Sequence, residues 1–364
     1  MNNYRVIGSF DGTFWKDKLL LTGLGYGALF EYDFQEKNLS LKYKLPEECE
    51  IVDSVWYGET LYLFPFFEFY VYALHLETEE IKTIEPQGTM ECKGSEKTRI
   101  NRPIVVGDKV YIFPVYSNRE LMILDLNSEN LTVVEGWWEL IKQHVAVEPN
   151  DEFMTIYAFD KFWVMKDRAA LILSFGTNFE LVGKCDFGDY AFYGINADKD
   201  GLWIILHDSG DLVHWDITSN ETTLCKGNLS DNSDFQYSQI VSANGSSYAL
   251  PYNNEQIVVA DKGNKSIYAL EMPQGVHRVK GNVRPLFNKY IVHKQKLYLI
   301  PLASNCLLVL DLVTQKMERH ELVLNETLTN KLINANRQDK SLSEKQYSLQ
   351  EFIRFVAWCK TKTD

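Results

Sequence analysis

The sequence contains seven copies of a short apolar phrase, and the position eight residues before each copy carries side chains that could do chemistry. Two neighbouring carboxylates at this position, Asp11 and Asp53, could act as the acid and base of a glycoside hydrolase or a lyase. Arg102 and Lys289 allow a second interpretation, in which ion pairs join neighbouring repeats. Both interpretations stay open, and we predict the polar members as ligand-binding residues. The position lies eight residues before each of seven apolar phrases and is occupied by Asp11, Asp53, Arg102, Met154, Gly194, Gln239 and Lys289.

A second group of candidates consists of aromatic, amide and charged residues that follow the apolar phrases or lie in long insertions. Aromatic rings beside amides and charges suit the binding of a peptide, a protein loop or a sugar. The same rings could instead be packed beneath the insertions, and the pattern does not separate the two interpretations. The candidates are Phe66, Phe67, Tyr116, Arg119, Asp208, Asn253 and Asn254, with Phe69, Trp137 and Tyr252 beside them.

Motifs for catalysis, metals and cofactors are weak or missing in the sequence. His207 and His214 flank a turn together with Asp208 and Asp211, but their spacing matches no known metal site. The sequence contains no G-x-S-x-G, no H-E-x-x-H and no P-loop motif. The residues therefore leave the question of enzymatic activity open but favour a protein that is not an enzyme, and we expect neither a cofactor nor a metal.

A repeat defines the elements that must position these residues. The apolar phrase reads LYLFPF at 61–66, VYIFPV at 110–115, SYALPY at 247–252 and LYLIPL at 297–302, with weaker copies starting at 19, 162 and 202. Each unit reads as four short strands rich in Val, Ile, Tyr and Phe, separated by turns. The copies begin 40 to 52 residues apart, which is the size of a propeller blade. We predict an all-β, seven-bladed β-propeller of four-stranded blades.

Three segments resemble repeats of known propeller families. Asp208–Asp216 resembles the third strand of a WD40 blade, and Val110–Phe113 resembles the second strand of a kelch blade. Ala197–Trp203 is similar to the blade motif of bacterial sensor propellers. Pro114 stands where kelch repeats have paired glycines, and no blade has the Gly-His pair of WD40 repeats. The resemblance to the kelch and WD40-like superfamily implies the fold and no activity.

Two segments depart from the repeat and read as helical. Gly136–Asp151 has apolar residues at helical spacing, which predicts a short helix over about 137–147. Near the end of the chain, Ser348 and Glu351 form a capping box ahead of an apolar stripe. We therefore divide the chain into a propeller at 4–324 and a helical tail at 325–364. The tail helix would pack on the propeller or dock a partner.

Charge and composition narrow the range of partners and locations. The 364 residues include 50 Asp and Glu against 37 Lys and Arg, a net charge of −13. Such a surface repels phosphate backbones, so we expect no nucleic-acid binding. The chain shows no secretory signal, no apolar run of membrane-spanning length and no C-x-x-C among its six cysteines. We expect a cytoplasmic protein that does not bind membranes.

These observations favour a non-catalytic recognition or scaffold propeller that binds a protein or peptide. The long insertions all fall between strands two and three or between blades, and these loops open on one face because strands alternate in direction. Loops on a rigid scaffold are where binding residues concentrate. The alternative is a carbohydrate-binding or glycoside-processing propeller that uses Asp11 and Asp53 at the channel mouth. An open polar pocket there would favour the enzyme, and a broad apolar patch would favour the binder.

Overall fold

Each sequence repeat forms one antiparallel sheet of four consecutive strands, and these seven sheets are the blades of a β-propeller. The predicted fold is therefore confirmed. The sheets lie in a compact unit, Val6–Leu322, and a second unit comprises Met1–Arg5 and Val323–Asp364. The computed structural model describes residues 5–324 apart from 7, 24–26, 47–48, 67, 88–99, 117–119, 149–150, 189, 208, 227–236, 253–255 and 280–283. The predicted tail helix, with Ser348 and Glu351, lies outside the described residues.

The strands follow one another around the ring in chain order. A short strand β1 (Arg5–Val6) precedes blade 1, which consists of β2 (Ser9–Trp15), β3 (Lys18–Gly23), β4 (Ala28–Asp33) and β5 (Asn38–Lys44). Blade 2 consists of β6 (Ile51–Tyr57), β7 (Thr60–Pro65), β8 (Val71–His75) and β9 (Glu80–Ile84). Blade 3 consists of β11 (Ile104–Val106), β12 (Lys109–Ile112), β13 (Leu121–Asp125) and β14 (Asn130–Val134), with β10 (Pro86–Gln87) parallel to β14 as a fifth strand.

A helix α1 (Trp137–Lys142) separates blade 3 from the remaining four blades. Blade 4 consists of β15 (Phe153–Ala158), β16 (Lys161–Lys166), β17 (Leu171–Phe175) and β18 (Leu181–Asp186), and blade 5 of β19 (Phe192–Ala197), β20 (Gly201–Leu206), β21 (Leu212–Asp216) and β22 (Glu221–Cys225). Blade 6 consists of β23 (Tyr237–Ala243), β24 (Ser246–Pro251), β25 (Val258–Asp261) and β26 (Ser266–Ala269). Blade 7 consists of β27 (Phe287–His293), β28 (Lys296–Pro301), β29 (Leu307–Asp311) and β30 (Met317–His320), and β31 (Val323–Leu324) pairs with β1.

The repeated phrase is the second strand of each blade, and it is apolar throughout because the strand is buried on both faces. In blade 2, Leu61 and Leu63 pack towards blade 1, whereas Tyr62 and Phe64 pack towards blade 3. A strand covered on both faces reads as a continuous apolar run instead of an alternating one. The side chains of strand two therefore form the cores between neighbouring blades.

A repeated aspartate at the end of the third strand caps the following turn in five blades. In blade 1, the Asp33 carboxylate accepts hydrogen bonds from the backbone N–H groups of Gln35 and Glu36, at 2.9 and 3.1 Å. These backbone hydrogen bonds hold the pKa of Asp33 below its usual value. A short polar side chain of this kind accepts hydrogen bonds from backbone N–H groups that would otherwise have no partner in the tight turn. The equivalent residues are Asp125, Asp216, Asp261 and Asp311.

The predicted insertion helix forms, but it is shorter than predicted and its tryptophans are buried. Helix α1 ends at Lys142, several residues before the predicted limit. Trp137, one of the aromatics expected on the loop face, is 3% exposed and packs edge-on against Phe113 and Phe175. It is a core residue, as the alternative interpretation of the aromatic loops held. Among the described residues, no helix has the length and hydropathy to cross a membrane.

Candidate functional site

The first strand of each blade lines the central channel, and the predicted polar position lies on that strand beside a recurring β-bulge. Neighbouring first strands contact one another between blades 7, 1 and 2 and between blades 4, 5, 6 and 7. In blades 2, 6 and 7 the pairing shifts immediately before Asp53, Gln239 and Lys289, which then lie opposite the fourth residue of the apolar phrase. Asp11 falls within the equivalent shift of blade 1. A bulge re-aims one side chain of a strand, and here it recurs at the position that carries the polar groups.

Lys289 joins three blades at this end of the channel. Its ammonium forms ion pairs with the carboxylates of both Asp11 and Asp53. The Ser54 hydroxyl donates a hydrogen bond to the second oxygen of Asp11, and the Ser54 backbone N–H donates to Asp53 at 2.7 Å. Asp11 is 0% exposed and Asp53 is 5% exposed. The two predicted acids therefore share one buried cation that links blades 7, 1 and 2.

The electrostatics of this cluster follow from two carboxylates that face a single ammonium. Burial raises the pKa of Asp11 to about 6; the charge of Lys289 opposes this rise and the charge of Asp53 adds to it. Burial by itself lowers the pKa of Lys289, but the two carboxylates outweigh it and raise that pKa above its usual value. Below about pH 6 Asp11 holds a proton, and above that pH the cluster carries one negative charge in excess.

Arg102 reaches across the channel from blade 3 to blades 6 and 7. Its guanidinium donates to the Gln239 side-chain oxygen at 3.0 Å and to the backbone oxygen of Asn288. Gln239 also donates to the Asn288 oxygen, and the guanidinium lies 5.5 Å from the centre of the Tyr290 ring. Sequence order placed Arg102 next to Asp53, but its contacts are with residues from the far side of the ring. The side chain of Arg102 therefore bridges the channel near its mouth.

Four residues of this network were missed by the sequence analysis. Asn196 donates hydrogen bonds to the Ile240 backbone oxygen at 2.7 Å and to the Tyr290 hydroxyl at 3.0 Å, so it links blade 5 to blades 6 and 7. Asn288 donates to the Phe10 backbone oxygen at 2.7 Å. Each missed residue lies within two positions of the residue found eight positions before the apolar phrase, so its polar neighbours would have completed the set: Ser54, Asn196, Asn288 and Tyr290.

An aromatic cluster adjoins the channel mouth on the face that carries the long loops. The rings of Phe10 and Phe66 stack with their centres 5.3 Å apart, and the guanidinium of Arg284 lies 5.3 Å from the Phe10 ring. Phe66 is half-buried and Arg284 is exposed. Tyr116, another predicted residue, donates a hydrogen bond to Glu152 at 2.6 Å. Five predicted loop residues lie outside the described residues: Phe67, Arg119, Asp208, Asn253 and Asn254.

The arrangement leaves little room for acid–base chemistry on a sugar. A glycoside hydrolase places the glycosidic bond between its two carboxyl groups, whereas the Lys289 ammonium occupies the space between Asp11 and Asp53. Within the described residues, no three His, Cys, Asp or Glu side chains come together as a metal-binding group. What the network offers is a hydrogen-bonded centre next to the buried Phe10 ring and the half-buried Phe66 ring.

Comparison with known proteins supports the fold and nothing finer. No protein-family model matches this sequence, and no curated protein matches it. Among solved structures, virginiamycin B lyase from Staphylococcus aureus superposes with a TM-score of 0.59 at 10% identity, over 84% of this chain and 97% of the lyase. A chain of the mitotic checkpoint complex gives a TM-score of 0.53 at 6% identity, over 84% and 87% of the two chains.

A third similar structure belongs to a longer protein. The extracellular domain of a one-component system from B. thetaiotaomicron has a TM-score of 0.56 at 10% identity, and the match covers 83% of this chain but only 38% of that domain. The three similar proteins are a lyase, a chain of a protein complex and the extracellular domain of a one-component system. Likeness at such low identity shows a shared propeller fold, and function must be argued from the site.

Proposed function

We propose that this chain is a non-catalytic recognition propeller that binds a protein or peptide on its loop-bearing face. The observation that carries the proposal is the occupied channel mouth, where the Arg102 side chain bridges the ring and the Lys289 ammonium pairs with both inner acids. A mouth of this kind supports a partner laid across it better than a small substrate held within it. The proposal includes a cytoplasmic location, which the free thiols of Cys185, Cys225 and Cys306 favour.

The half-buried Phe66 ring and the exposed Arg284 side chain supply the chemistry that such a partner would meet, and both contact the buried ring of Phe10. Aromatic residues and arginine are enriched at protein interfaces, and they dominate the binding energy of many. Phe10 lies in this cluster, and its backbone oxygen also accepts the hydrogen bond from Asn288. The cluster is therefore anchored on the rigid network of the channel, so that binding would cost little ordering of the receptor.

The carbohydrate alternative is supported by one observation and opposed by two. The raised pKa of Asp11, about 6, is the kind of value that a general acid needs near neutral pH. However, Asp11 is completely buried, and its ion pair with Lys289 blocks the approach of a glycosidic oxygen. We therefore favour binding over hydrolysis.

The proposal can be tested by comparing loop-face and opposite-face variants in capture experiments. Purified chain would be immobilised and exposed to a lysate of the native organism, and retained proteins would be identified. We expect Phe66→Ala combined with Arg284→Ala to lose a partner that the wild-type chain retains. The control is Asp17→Ala combined with Lys294→Ala, which removes an exposed ion pair on turns of the other face. Retention by the loop-face variant, or capture of nothing by the wild-type chain, would contradict the proposal.

A further inference from the structure

A groove of about 620 Å³ lies between blades 7 and 1, on the face opposite the long loops. It is lined by the turns between strands one and two of both blades, by the turn between strands three and four of blade 1, and by the outer strand of blade 7. Ligand pockets in proteins commonly have volumes of roughly 300–1,000 Å³. The size of the groove therefore suits a small molecule.

One wall of the groove is built from aromatic rings of both blades. The Phe14 ring stacks on the His293 imidazole with the ring centres 4.3 Å apart, and it meets Tyr298 edge-on at 4.9 Å. Phe34 contacts both Tyr298 and His320 edge-on, at 5.5 and 5.2 Å. These contacts fix the rings in place, so the wall offers a preformed surface for a planar group.

The groove also contains polar atoms that lack partners among the described residues. The Nε2 atom of His293 is buried and makes no hydrogen bond. Neither Lys37 nor Lys296 has a carboxylate of a described residue within 4 Å. Burial lowers the pKa of His320, Glu318 opposes this, and the charges of Lys37 and Lys296 lower it further. Both ammonium groups therefore act on the same ring.

The groove is basic although the chain is acidic. Four basic side chains and two acidic ones line it, whereas the whole chain has a net charge of −13. Asp17 forms an ion pair with Lys294 at 2.8 Å, whereas Glu318 lies 3.7 Å from His320, whose lowered pKa leaves the imidazole uncharged near neutral pH. Lys37 and Lys296 form no ion pair within 4 Å among the described residues, although Lys296 also acts on the carboxylate of Asp311, which lies opposite it in the strand pairing. Lysine ammonium groups of this kind bind phosphate as point charges.

We infer that this groove binds a small phosphate-bearing anion with a planar ring, which is the chemistry of a mononucleotide. The phosphate lies between the ammonium groups of Lys37 and Lys296, and the ring lies against the aromatic wall at Phe34 and Tyr298. His293 supplies a hydrogen bond from its unpartnered nitrogen. The site is separate from the loop face, so it does not depend on the proposed protein partner.

Calorimetric titration of the full chain with AMP tests this inference. We expect saturable binding, and we expect Lys37→Ala and Lys296→Ala each to weaken it by about tenfold. Lys109→Ala is the matched control, because Lys109 starts strand two of blade 3 opposite Asp125 just as Lys296 starts strand two of blade 7 opposite Asp311. That control should bind AMP as the wild-type chain does.

Two further probes separate the roles of ring and phosphate. Adenosine and inorganic phosphate should each bind at least about tenfold more weakly than AMP, and AMP should shift the NMR signals of the His293 ring. The inference is overturned if the wild-type chain shows no saturable binding at about 10 mM AMP. It is also overturned if the lysine variants match Lys109→Ala, or if either fragment binds as tightly as AMP.

Discussion

Replacing Lys289 by methionine tests whether the shared ammonium holds blades 7, 1 and 2 together. Methionine keeps a long unbranched side chain but removes the charge, and so it leaves Asp11 and Asp53 buried without their cation. Removing one partner of a buried ion pair typically costs about 3–5 kcal/mol. We expect Lys289→Met to lower the free energy of unfolding near neutral pH by about this amount, measured by urea denaturation.

The pH dependence of this loss follows from Asp11. Its pKa is about 6 in the folded chain, above the 3.8 of an unperturbed aspartate. Between these pH values the folded state binds more protons than the unfolded state. The contribution of Asp11 to the free energy of unfolding is therefore complete below about pH 4 and is lost as the pH rises through 6. The shift corresponds to about 3 kcal/mol. The cost of Lys289→Met should therefore be smaller at acid pH, where Asp11 is protonated and needs no cation.

Two variants serve as controls for this experiment. Asp11→Asn can keep contacts with Lys289 and Ser54, and it should remove the fall in stability between about pH 4 and 6. Lys294→Met removes an ion pair with Asp17 whose side chains are 70% and 85% exposed, and solvent screens such a pair, so its loss should change the stability little. If Lys289→Met costs no more than Lys294→Met, or if its cost does not change with pH, the shared ammonium does not hold the three blades together.

Two further predictions concern single blades. Gly201→Ala should lower the free energy of unfolding by about 3 kcal/mol or more, measured by thermal or urea unfolding, since the new Cβ would lie 2.1 Å from a carbonyl oxygen of strand β21. Its control is Gly107→Ala, where the new Cβ has open space but the backbone φ is +64°, and we expect a cost of only about 1–2 kcal/mol. Equal costs of the two variants would contradict the steric argument. Trp203→Phe removes a 2.9 Å hydrogen bond to Asp198 and should cost about 1.5–3 kcal/mol near neutral pH. Burial raises the pKa of Asp198, but hydrogen bonds from His214, the backbone and Trp203 outweigh it and hold that pKa below its usual range. The difference in unfolding free energy between the wild-type chain and Trp203→Phe should therefore shrink as the pH falls below about 4. A difference that does not change with pH would show that the hydrogen bond to Asp198 is not its cause.

Periodicity in the sequence was enough to predict the blades and the position of the inner polar residues. The apolar phrase is buried on both faces in every blade, so the number of its copies equals the number of blades. Counting back eight residues from the phrase reaches Asp53, Gln239 and Lys289, and the strand register places these three at equivalent positions. A local rule of this kind works because strand pairing within a blade involves residues close in sequence.

Contacts across the channel could not be predicted from the same rule. Arg102 and Asn288 are 186 positions apart in the sequence, and their contact depends on the width of the closed ring and on the length of the arginine side chain. The aromatic residues of the loops posed a similar problem, since Trp137 and Phe66 occupy comparable insertions. Trp137 is buried in the core between blades 3 and 4, whereas Phe66 is half-buried beside the channel mouth. Composition alone does not separate these environments.

The seam between blades 7 and 1 brings together residues that no local pattern could associate. At one end of this seam Lys289 pairs with Asp11, and at the other end His293 stacks on Phe14. Each contact joins residues almost 280 positions apart, and each blade at the seam is made of consecutive strands. Side chains of the two facing sheets therefore contribute to holding these blades together. A seam built from charged and aromatic side chains can also present them to a ligand, which explains why the basic groove lies where the ring closes.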